Sequence, residues 1–92
     1  MSGTSGAYEV EYDPRALKEL TKLDKRTARR IVRAVNALTT DPRPTGARPL
    51  VGYTGLWRIR VGDYRIVYTI RDAEFLVLAL RVAHRSGVYR GL

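Results

Sequence analysis

Three arginines lie close together in the segment GLWRIRVGDYRIVY, which spans residues 55–68. Arg58, Arg60 and Arg65 flank the pair Gly62-Asp63. Charge is also distributed unevenly between the two halves of the chain. Residues 1–42 carry eight basic and six acidic side chains, whereas residues 43–92 carry nine arginines and three acidic side chains. A guanidinium group matches the oxygens of a phosphate and remains charged at any working pH. The second half therefore predicts a polyanionic ligand, most simply a nucleic acid, although the same charge could serve solubility alone.

Two side chains near the end of the chain, His84 and Tyr89, can carry a proton in a reaction at a phosphate. RNA is cleaved when a 2′-OH attacks the adjacent phosphorus, and arginines stabilise the negative charge that develops there. A base must take the 2′-OH proton, and an acid should protonate the leaving 5′ oxygen. Histidine exchanges a proton near neutral pH, whereas a tyrosine phenol needs neighbouring cations to lower its pKa from about 10. The alternative is structural: Tyr89 anchors the tail, and His84 is a surface or capping residue.

Other chemistries have few candidate residues. The chain contains no cysteine and one histidine, so we expect no metal site and no cofactor. Asp63 and Asp72 lie in turn sequences and are interpreted as structural. We find no paired carboxylates, no Ser-His-Asp arrangement and no Gly-rich phosphate loop ahead of a helix.

The apolar periodicity and the capping residues predict an α+β fold. Asp13 and Asp24 are suitable N-caps for two helices, the first beginning at Pro14 and the second running from Lys25 to about Thr40. Strands are expected at residues 8–12, 56–61, 64–71 and 74–82, with a Pro- and Gly-rich loop over 41–55 and a short turn or helix at the end. The N-terminal strand and two antiparallel helices should pack on one face of a small antiparallel sheet, leaving the other face open or covered by a partner.

The alternation around Gly62-Asp63 also predicts the register of the hairpin. A two-residue turn there places three apolar pairs on one face, namely Val61 with Tyr64, Ile59 with Ile66, and Trp57 with Tyr68. Arg60 then lies across from Arg65 on the other face, and Arg58 lies across from Val67. Opposed like charges cost up to ~1 kcal/mol, so we interpret this face as an anion site, unless Glu9 and Glu11 lie near enough to compensate. Leu76, Leu78, Leu80 and Val82 are expected to extend the same face with apolar surface.

The length of the chain indicates one domain, predicted over residues 8–92 after a flexible leader at residues 1–7. No segment has the apolar length of a membrane span, and MSGTSGA lacks the features of a signal peptide. A cytoplasmic location and no contact with a membrane are therefore expected.

The segments YEVEYDPRALKELTKLDKR, DPRPTGARPLVG, LWRIRVGDYRIVYTI and LRVAHRSGVYR together resemble the RelE branch of the RelE/ParE superfamily, the toxins of bacterial toxin–antitoxin pairs. The resemblance implies the fold described above. It also implies a ribonuclease that enters the ribosomal A site, cleaves mRNA through the 2′-OH and thereby inhibits translation. The expected partners are the ribosome with its mRNA and a cognate antitoxin, which wraps the toxin and often neutralises its basic face, giving a toxin–antitoxin hetero-oligomer.

The resemblance covers Arg58, Arg60, Arg65, Arg85 and Tyr89, and together with the side-chain chemistry above it suggests roles for individual residues. Arg65, Arg85, Tyr89 and His84 are the predicted catalytic residues, and Arg58, Arg60 and Arg81 are the predicted substrate-binding residues. Some relatives have lysines at the positions of Arg58 and Arg60. Lysine can transfer a proton and arginine cannot, so the base in this chain would be Tyr89 or His84. Two alternatives stay open, a ParE-like poison of DNA gyrase and a non-catalytic module that binds RNA or an antitoxin.

Overall fold

The computed structural model describes residues 7–87, which form two helices, five strands and one 3₁₀ turn. The elements in chain order are β1 (Glu9–Tyr12), α1 (Pro14–Thr21), α2 (Lys25–Ala37), β2 (Arg48–Pro49), β3 (Leu56–Val61), β4 (Tyr64–Arg71), the 3₁₀ turn Asp72–Glu74 and β5 (Leu76–His84). The predicted α+β class is confirmed. Most of the predicted leader, residues 1–6, lies outside the described residues, and so does Tyr89.

Both helices begin at the caps that the sequence predicts. The Asp13 carboxylate accepts a hydrogen bond from the Arg15 N–H at 2.8 Å, and Pro14 occupies the first helical position. The Asp24 carboxylate accepts from the Thr27 N–H at 3.2 Å. The second helix is shorter than predicted, because Leu38 forms its C-cap and residues 38–40 continue as a turn.

The five strands form one sheet in the order β1-β5-β4-β3-β2. Strands β3, β4 and β5 are the predicted antiparallel meander, but β1 pairs in parallel with β5, which makes the sheet mixed. The two residues of β2 come from the predicted loop and pair with β3 at its outer edge. The hairpin has the predicted register throughout, and Gly62 supplies the positive φ of 59° that its two-residue turn requires.

The last strand differs from its prediction in position and register. Phe75 adopts a left-handed conformation (φ 50°) after the 3₁₀ turn, so β5 begins at Leu76 rather than at residue 74. A β-bulge lies where Val67 pairs with Arg81 and Tyr68 pairs with Ala79, which leaves Leu80 as the extra residue. The bulge reverses the alternation, and the prediction that Val82 extends the arginine-bearing face is wrong. Val82 pairs with Ile66 and is 4 % exposed in the core.

The core lies between the two helices and one face of the sheet, with Ala16 and Leu20 of α1 buried in it. Ile31 and Val35 of α2, together with its C-cap Leu38, pack with Ile66 and Tyr68 of the central strand, and all five are buried. Within the described residues, no helix is long and apolar enough to cross a membrane. This packing assigns one face of the sheet to the core and leaves the opposite face free of helices.

Candidate functional site

The face of the sheet opposite α2 carries two rows of cross-strand neighbours. One row runs from Arg48 on β2 through Arg58 on β3 and Val67 on β4 to Arg81 on β5. The second row contains Arg60, Arg65 and Ala83. We call this surface, defined by Arg48, Arg58, Arg60, Arg65 and Arg81, the arginine face. Side chains on one face of a strand repeat every second residue, so the two rows lie about 7 Å apart.

Three of these arginines, Arg58, Arg60 and Arg65, form neither an ion pair nor a side-chain hydrogen bond within residues 7–87. Within residues 7–87, no Asp or Glu oxygen lies within 4.0 Å of the guanidinium nitrogens of Arg58, Arg60 or Arg65. Glu9 and Glu11 do not compensate, because β1 joins the sheet beyond β5 and so lies two strand spacings, about 10 Å, from β4. The alternative in which these glutamates neutralise the arginines therefore does not fit the sheet order.

Arg65 has the most constrained environment of the three. Its side chain is partly buried, and its Nε atom is buried without a hydrogen-bond partner. A buried donor that lacks an acceptor costs about 1–3 kcal/mol, so such atoms are uncommon. The Arg65 guanidinium therefore carries an unsatisfied donor directly beside Arg60.

Arg48 was missed by sequence analysis. It lies in a two-residue strand, too short for an alternating pattern, inside a segment that reads as a loop. In the structure it is the cross-strand partner of Arg58, and its guanidinium donates hydrogen bonds to the carbonyl oxygens of Thr45 (2.8 Å) and Ala47 (2.9 Å). These contacts hold a positive charge at the outer edge of the arginine face.

Arg81 stands at the opposite end of the row and is held by Glu19 of α1. Its Nε donates to the two Glu19 carboxylate oxygens at 3.2 and 3.0 Å, and a terminal nitrogen donates at 2.7 Å. The Glu19 hydrogen bond raises the pKa of the Arg81 guanidinium. Glu19 also accepts from the Val82 N–H at 2.7 Å, on the edge of β5 that β1 leaves uncovered. Arg81 therefore joins α1 to the sheet and has part of its hydrogen-bonding capacity already occupied.

His84 lies on a different side of the sheet from the arginines. It is the cross-strand partner of Tyr64, whose position in the alternation is on the helix-facing side, and the two rings meet edge-to-face at 5.3 Å. The Ser86 hydroxyl lies 2.8 Å from His84 Nδ1 and the Ser86 backbone nitrogen lies 3.3 Å from it, so this ring nitrogen is engaged by the turn that follows β5. The structure does not bring His84 together with Arg60 and Arg65.

The chain after β5 turns back toward the arginine face. The Arg85 N–H donates to the Asp63 carbonyl oxygen at 2.7 Å, so the tail is fastened to the hairpin turn, and the Arg85 guanidinium lies 3.9 Å from the Asp63 carboxylate. A methyl group built on Gly87 would lie 3.8 Å from the Cβ of Ala83, the cross-strand partner of Arg65. The last described residue is therefore beside the Arg60–Arg65 row. Tyr89 lies two residues further along the chain.

Asp72 is bound within the fold and is not part of a reactive pair. It accepts hydrogen bonds from Arg43 (2.8 and 3.3 Å) and from the Tyr8 hydroxyl (2.6 Å). These bonds, the one from Arg43 first, lower the pKa of the Asp72 carboxyl. The same Arg43 guanidinium lies over the Trp57 ring, 5.6 Å from its centre. Asp72 thus connects Tyr8, which precedes β1, and Arg43 of the long loop to the end of β4. This agrees with the prediction that Asp72 is a structural residue.

Comparison with known proteins decides the family. The model of the ParE toxin of the type II toxin–antitoxin system parDE matches residues 10–89. The chain belongs to the RelE/ParE toxin superfamily. Among its relatives, Toxin RelG of Mycobacterium tuberculosis is 33 % identical over 84 residues, covering 90 % of this chain and 97 % of the relative. The mRNA interferase toxin RelE of Escherichia coli K12 is 31 % identical over 87 residues, covering 90 % of each chain.

Solved structures of RelE proteins have the same fold as this toxin. The RelBE2 toxin–antitoxin complex of Mycobacterium tuberculosis superposes with a TM-score of 0.77 at 32 % identity, covering 86 % of this toxin and 99 % of that chain. The archaeal RelE–RelB complex of Pyrococcus horikoshii OT3 gives a TM-score of 0.76 at 26 % identity, covering 89 % and 99 %. The chain is a type II toxin of the RelE type by sequence and by fold, as the sequence motifs indicate.

Proposed function

We propose that this toxin is an endoribonuclease that cleaves mRNA in the ribosomal A site and so inhibits translation. The observation that carries the proposal is the cross-strand pair Arg60–Arg65, two arginines whose register places them on the face opposite the core and which form no ion pair within residues 7–87. The name of the Escherichia coli relative, mRNA interferase toxin, supports the same activity. An arginine pair with no counter-ion among residues 7–87 suits a phosphate ligand better than it suits a structural role.

The proposed reaction needs no group beyond the RNA and protein side chains. The 2′ oxygen loses its proton to a base and forms a bond to phosphorus, while the bond from phosphorus to the 5′ oxygen breaks. The 5′ oxygen takes a proton from an acid, which leaves a 2′,3′-cyclic phosphate on one product and a 5′-hydroxyl on the other. Arg60 and Arg65 stabilise the charge on the non-bridging oxygens, and Arg58 binds a neighbouring phosphate.

We assign the proton transfer to Tyr89 rather than His84. Arginine keeps its proton, so the arginine face itself supplies no base. His84 lies on the helix-facing side, whereas Gly87 lies against Ala83 beside Arg65. Tyr89 follows Gly87 by two positions in the sequence, and we propose that its phenol acts at the phosphate bound beside Arg65. Arg85 is the further tail residue proposed to contact the reacting phosphate.

We also propose a cognate antitoxin as the partner of this toxin. The related structures named above are complexes of RelE proteins with RelB antitoxins. An acidic segment laid over the arginine face would neutralise Arg58, Arg60 and Arg65 and block RNA from the same surface. Binding of the antitoxin and of RNA should therefore be mutually exclusive, and the ribosome as target places the proposed activity in the cytoplasm.

The test is a brief induction of the toxin in cells, followed by primer extension to locate mRNA 5′ ends. Cuts inside codons, restricted to translated messages, are the expected result. The match to the ParE family model favours one other function, poisoning of DNA gyrase. In that case the induced cells would show DNA damage signalling with intact mRNA, and the endoribonuclease proposal would be abandoned. An absence of toxicity from folded toxin free of antitoxin would point to a non-catalytic binding module.

A further inference from the structure

A second basic surface lies on α1, next to the end of the arginine face. A groove of about 320 Å³ is lined by Arg15, Lys18, Glu19, Lys22 and Arg81. Four of these side chains are cationic and one is anionic. The α1 residues recur at spacings of three and four, which places them on one side of the helix. Because every lining side chain is charged, the groove suits a polyanion better than an apolar peptide segment.

The single carboxylate of this groove is already occupied. Glu19 accepts from two nitrogens of Arg81 and from the Val82 N–H, at distances between 2.7 and 3.2 Å. Lys18 and Lys22 are exposed, and in the described part of the chain neither forms an ion pair with a carboxylate. Their charges therefore remain available to a ligand.

Arg81 connects the groove to the arginine face. It lines the groove, and it also ends the cross-strand row that begins at Arg48 and passes through Arg58. The row crosses three strand spacings, about 14 Å, at right angles to the strands. Basic side chains therefore extend from β2 across the sheet to α1, over a length that exceeds one phosphodiester group, with Arg81 paired to Glu19 at the junction.

We propose that the α1 groove is a second phosphate-binding site, which holds the backbone of single-stranded RNA after it has crossed the arginine face. The RNA would then lie across the strands, with Lys18 and Lys22 binding phosphates remote from the cleaved bond. The inference rests on the proposed function only for the choice of RNA as the polyanion. It extends that function by giving the direction of the bound strand.

The test measures binding of the full-length toxin to 2′-O-methyl oligouridylates, which have no free 2′-OH and cannot be cleaved by the proposed reaction. Fluorescence anisotropy would compare a trinucleotide with a decanucleotide over a salt series. Lys18→Gln/Lys22→Gln should weaken binding of the decanucleotide and reduce the slope of log K against log salt by about 1.4, since each lost phosphate contact removes about 0.7 from the slope for single strands. Binding of the trinucleotide should not change.

The matched control is Lys25→Gln/Arg26→Gln, which removes the same charge from exposed positions of α2 outside the groove. Equal decanucleotide affinities for the two double variants would overturn the inference. So would an equal loss for both oligonucleotides, which indicates general attraction, or a loss of antitoxin binding with RNA binding unchanged. Cleavage in cells is scored separately: length-dependent binding without cleavage would refute the endoribonuclease proposal and leave the groove assignment standing.

Discussion

Arg60 and Arg65 are direct cross-strand neighbours at the tip of the β3–β4 hairpin, on the face that the helices leave uncovered. Two like charges in this arrangement destabilise a sheet by up to ~1 kcal/mol. Within residues 7–87 no carboxylate relieves the repulsion. A phosphate bound between the two guanidinium groups would remove this repulsion, so the folding free energy lost at the pair would reappear as part of the binding free energy.

Replacement of Arg65 tests its role in catalysis. Arg65→Ala should reduce mRNA cleavage by about 10²–10³-fold, which is the usual effect of removing one group that stabilises the transition state. The control is Arg71→Ala, the same substitution on the same strand and face, six residues or about 20 Å away. The measurement is the cleavage rate in a translation extract, with circular dichroism to verify folding. Equal rates for the two variants would show that Arg65 is not part of the site.

Arg60 should act through binding to phosphate. Arg60→Ala is expected to weaken association with ribosomes and to lower the slope of log K against log salt by about 0.7. Arg71→Ala again serves as the control, because it removes one positive charge far from the hairpin tip. An Arg60→Ala variant with the salt slope of the wild type would indicate that this guanidinium contacts no phosphate in the complex.

Tyr89 should transfer a proton rather than only anchor the tail. Tyr89→Phe keeps the aromatic ring and removes the hydroxyl, so it should lose most cleavage activity while ribosome binding and thermal stability stay at wild-type values. Tyr53→Phe removes a hydroxyl from a loop residue that is 40 % exposed, and it should have full activity. A fully active Tyr89→Phe toxin would remove the phenol from the mechanism and leave only the anchoring role.

The Glu19–Arg81 contact should contribute to folding stability. Glu19→Ala removes the acceptor for the Arg81 guanidinium and for the Val82 N–H, both partly buried, and should lower the free energy of unfolding by about 2 kcal/mol. Glu19→Gln keeps one acceptor oxygen for the Val82 N–H and should cost less. Urea titrations would measure both changes, and an equal cost for the two variants would show that the Val82 bond is unimportant.

Tyr68 predicts a loss of stability at alkaline pH. Its ring is buried, its hydroxyl donates to the Pro42 carbonyl oxygen at 2.7 Å, and burial raises the pKa of Tyr68 to about 12. Because this pKa lies above the unfolded value of about 10, the neutral phenol stabilises the fold below pH 10, and the contribution is lost as the pH rises from 10 toward 12.

Tyr68→Phe should therefore be less stable than the wild type at neutral pH, because the bond to Pro42 is lost. Its free energy of unfolding should fall less steeply than that of the wild type between pH 10 and 12. Urea unfolding at several pH values would measure the two slopes. Tyr53→Phe, which removes an exposed hydroxyl, should keep the wild-type slope. Identical slopes for wild type and Tyr68→Phe would contradict the assignment of the alkaline loss to Tyr68.

The parts of the fold that could be predicted are those with local signals. Asp13 and Asp24 are N-cap residues that predict where the two helices begin. The apolar alternation around Gly62 is compatible with only one hairpin register, so the Arg60–Arg65 pair could be predicted from the sequence alone. In these places the local preference and the final packing agree.

The parts that could not be predicted depend on contacts between distant residues. Arg81 meets Glu19 across 62 positions of sequence, and β1 pairs with the last strand rather than with a neighbour in sequence. The placement of His84 away from the arginines follows from the register of β5, which no turn residue fixes. Composition and residue spacing do not determine the strand order, the Glu19–Arg81 contact or the register of β5, because several arrangements bury the same apolar residues.

The bulge at Leu80 has a consequence for the comparison of relatives. One additional residue at this point sends Arg81 to the arginine face and Val82 into the core. A relative that lacks this residue would form the strand without a bulge and would keep the following residues on the same faces, so its sequence matches this chain only when a one-residue gap is placed at Leu80. Alignments of this toxin group therefore become reliable downstream of residue 80 only when gaps are placed from superposed backbones, and tail residues matched by letter alone can be assigned to the wrong face of the sheet.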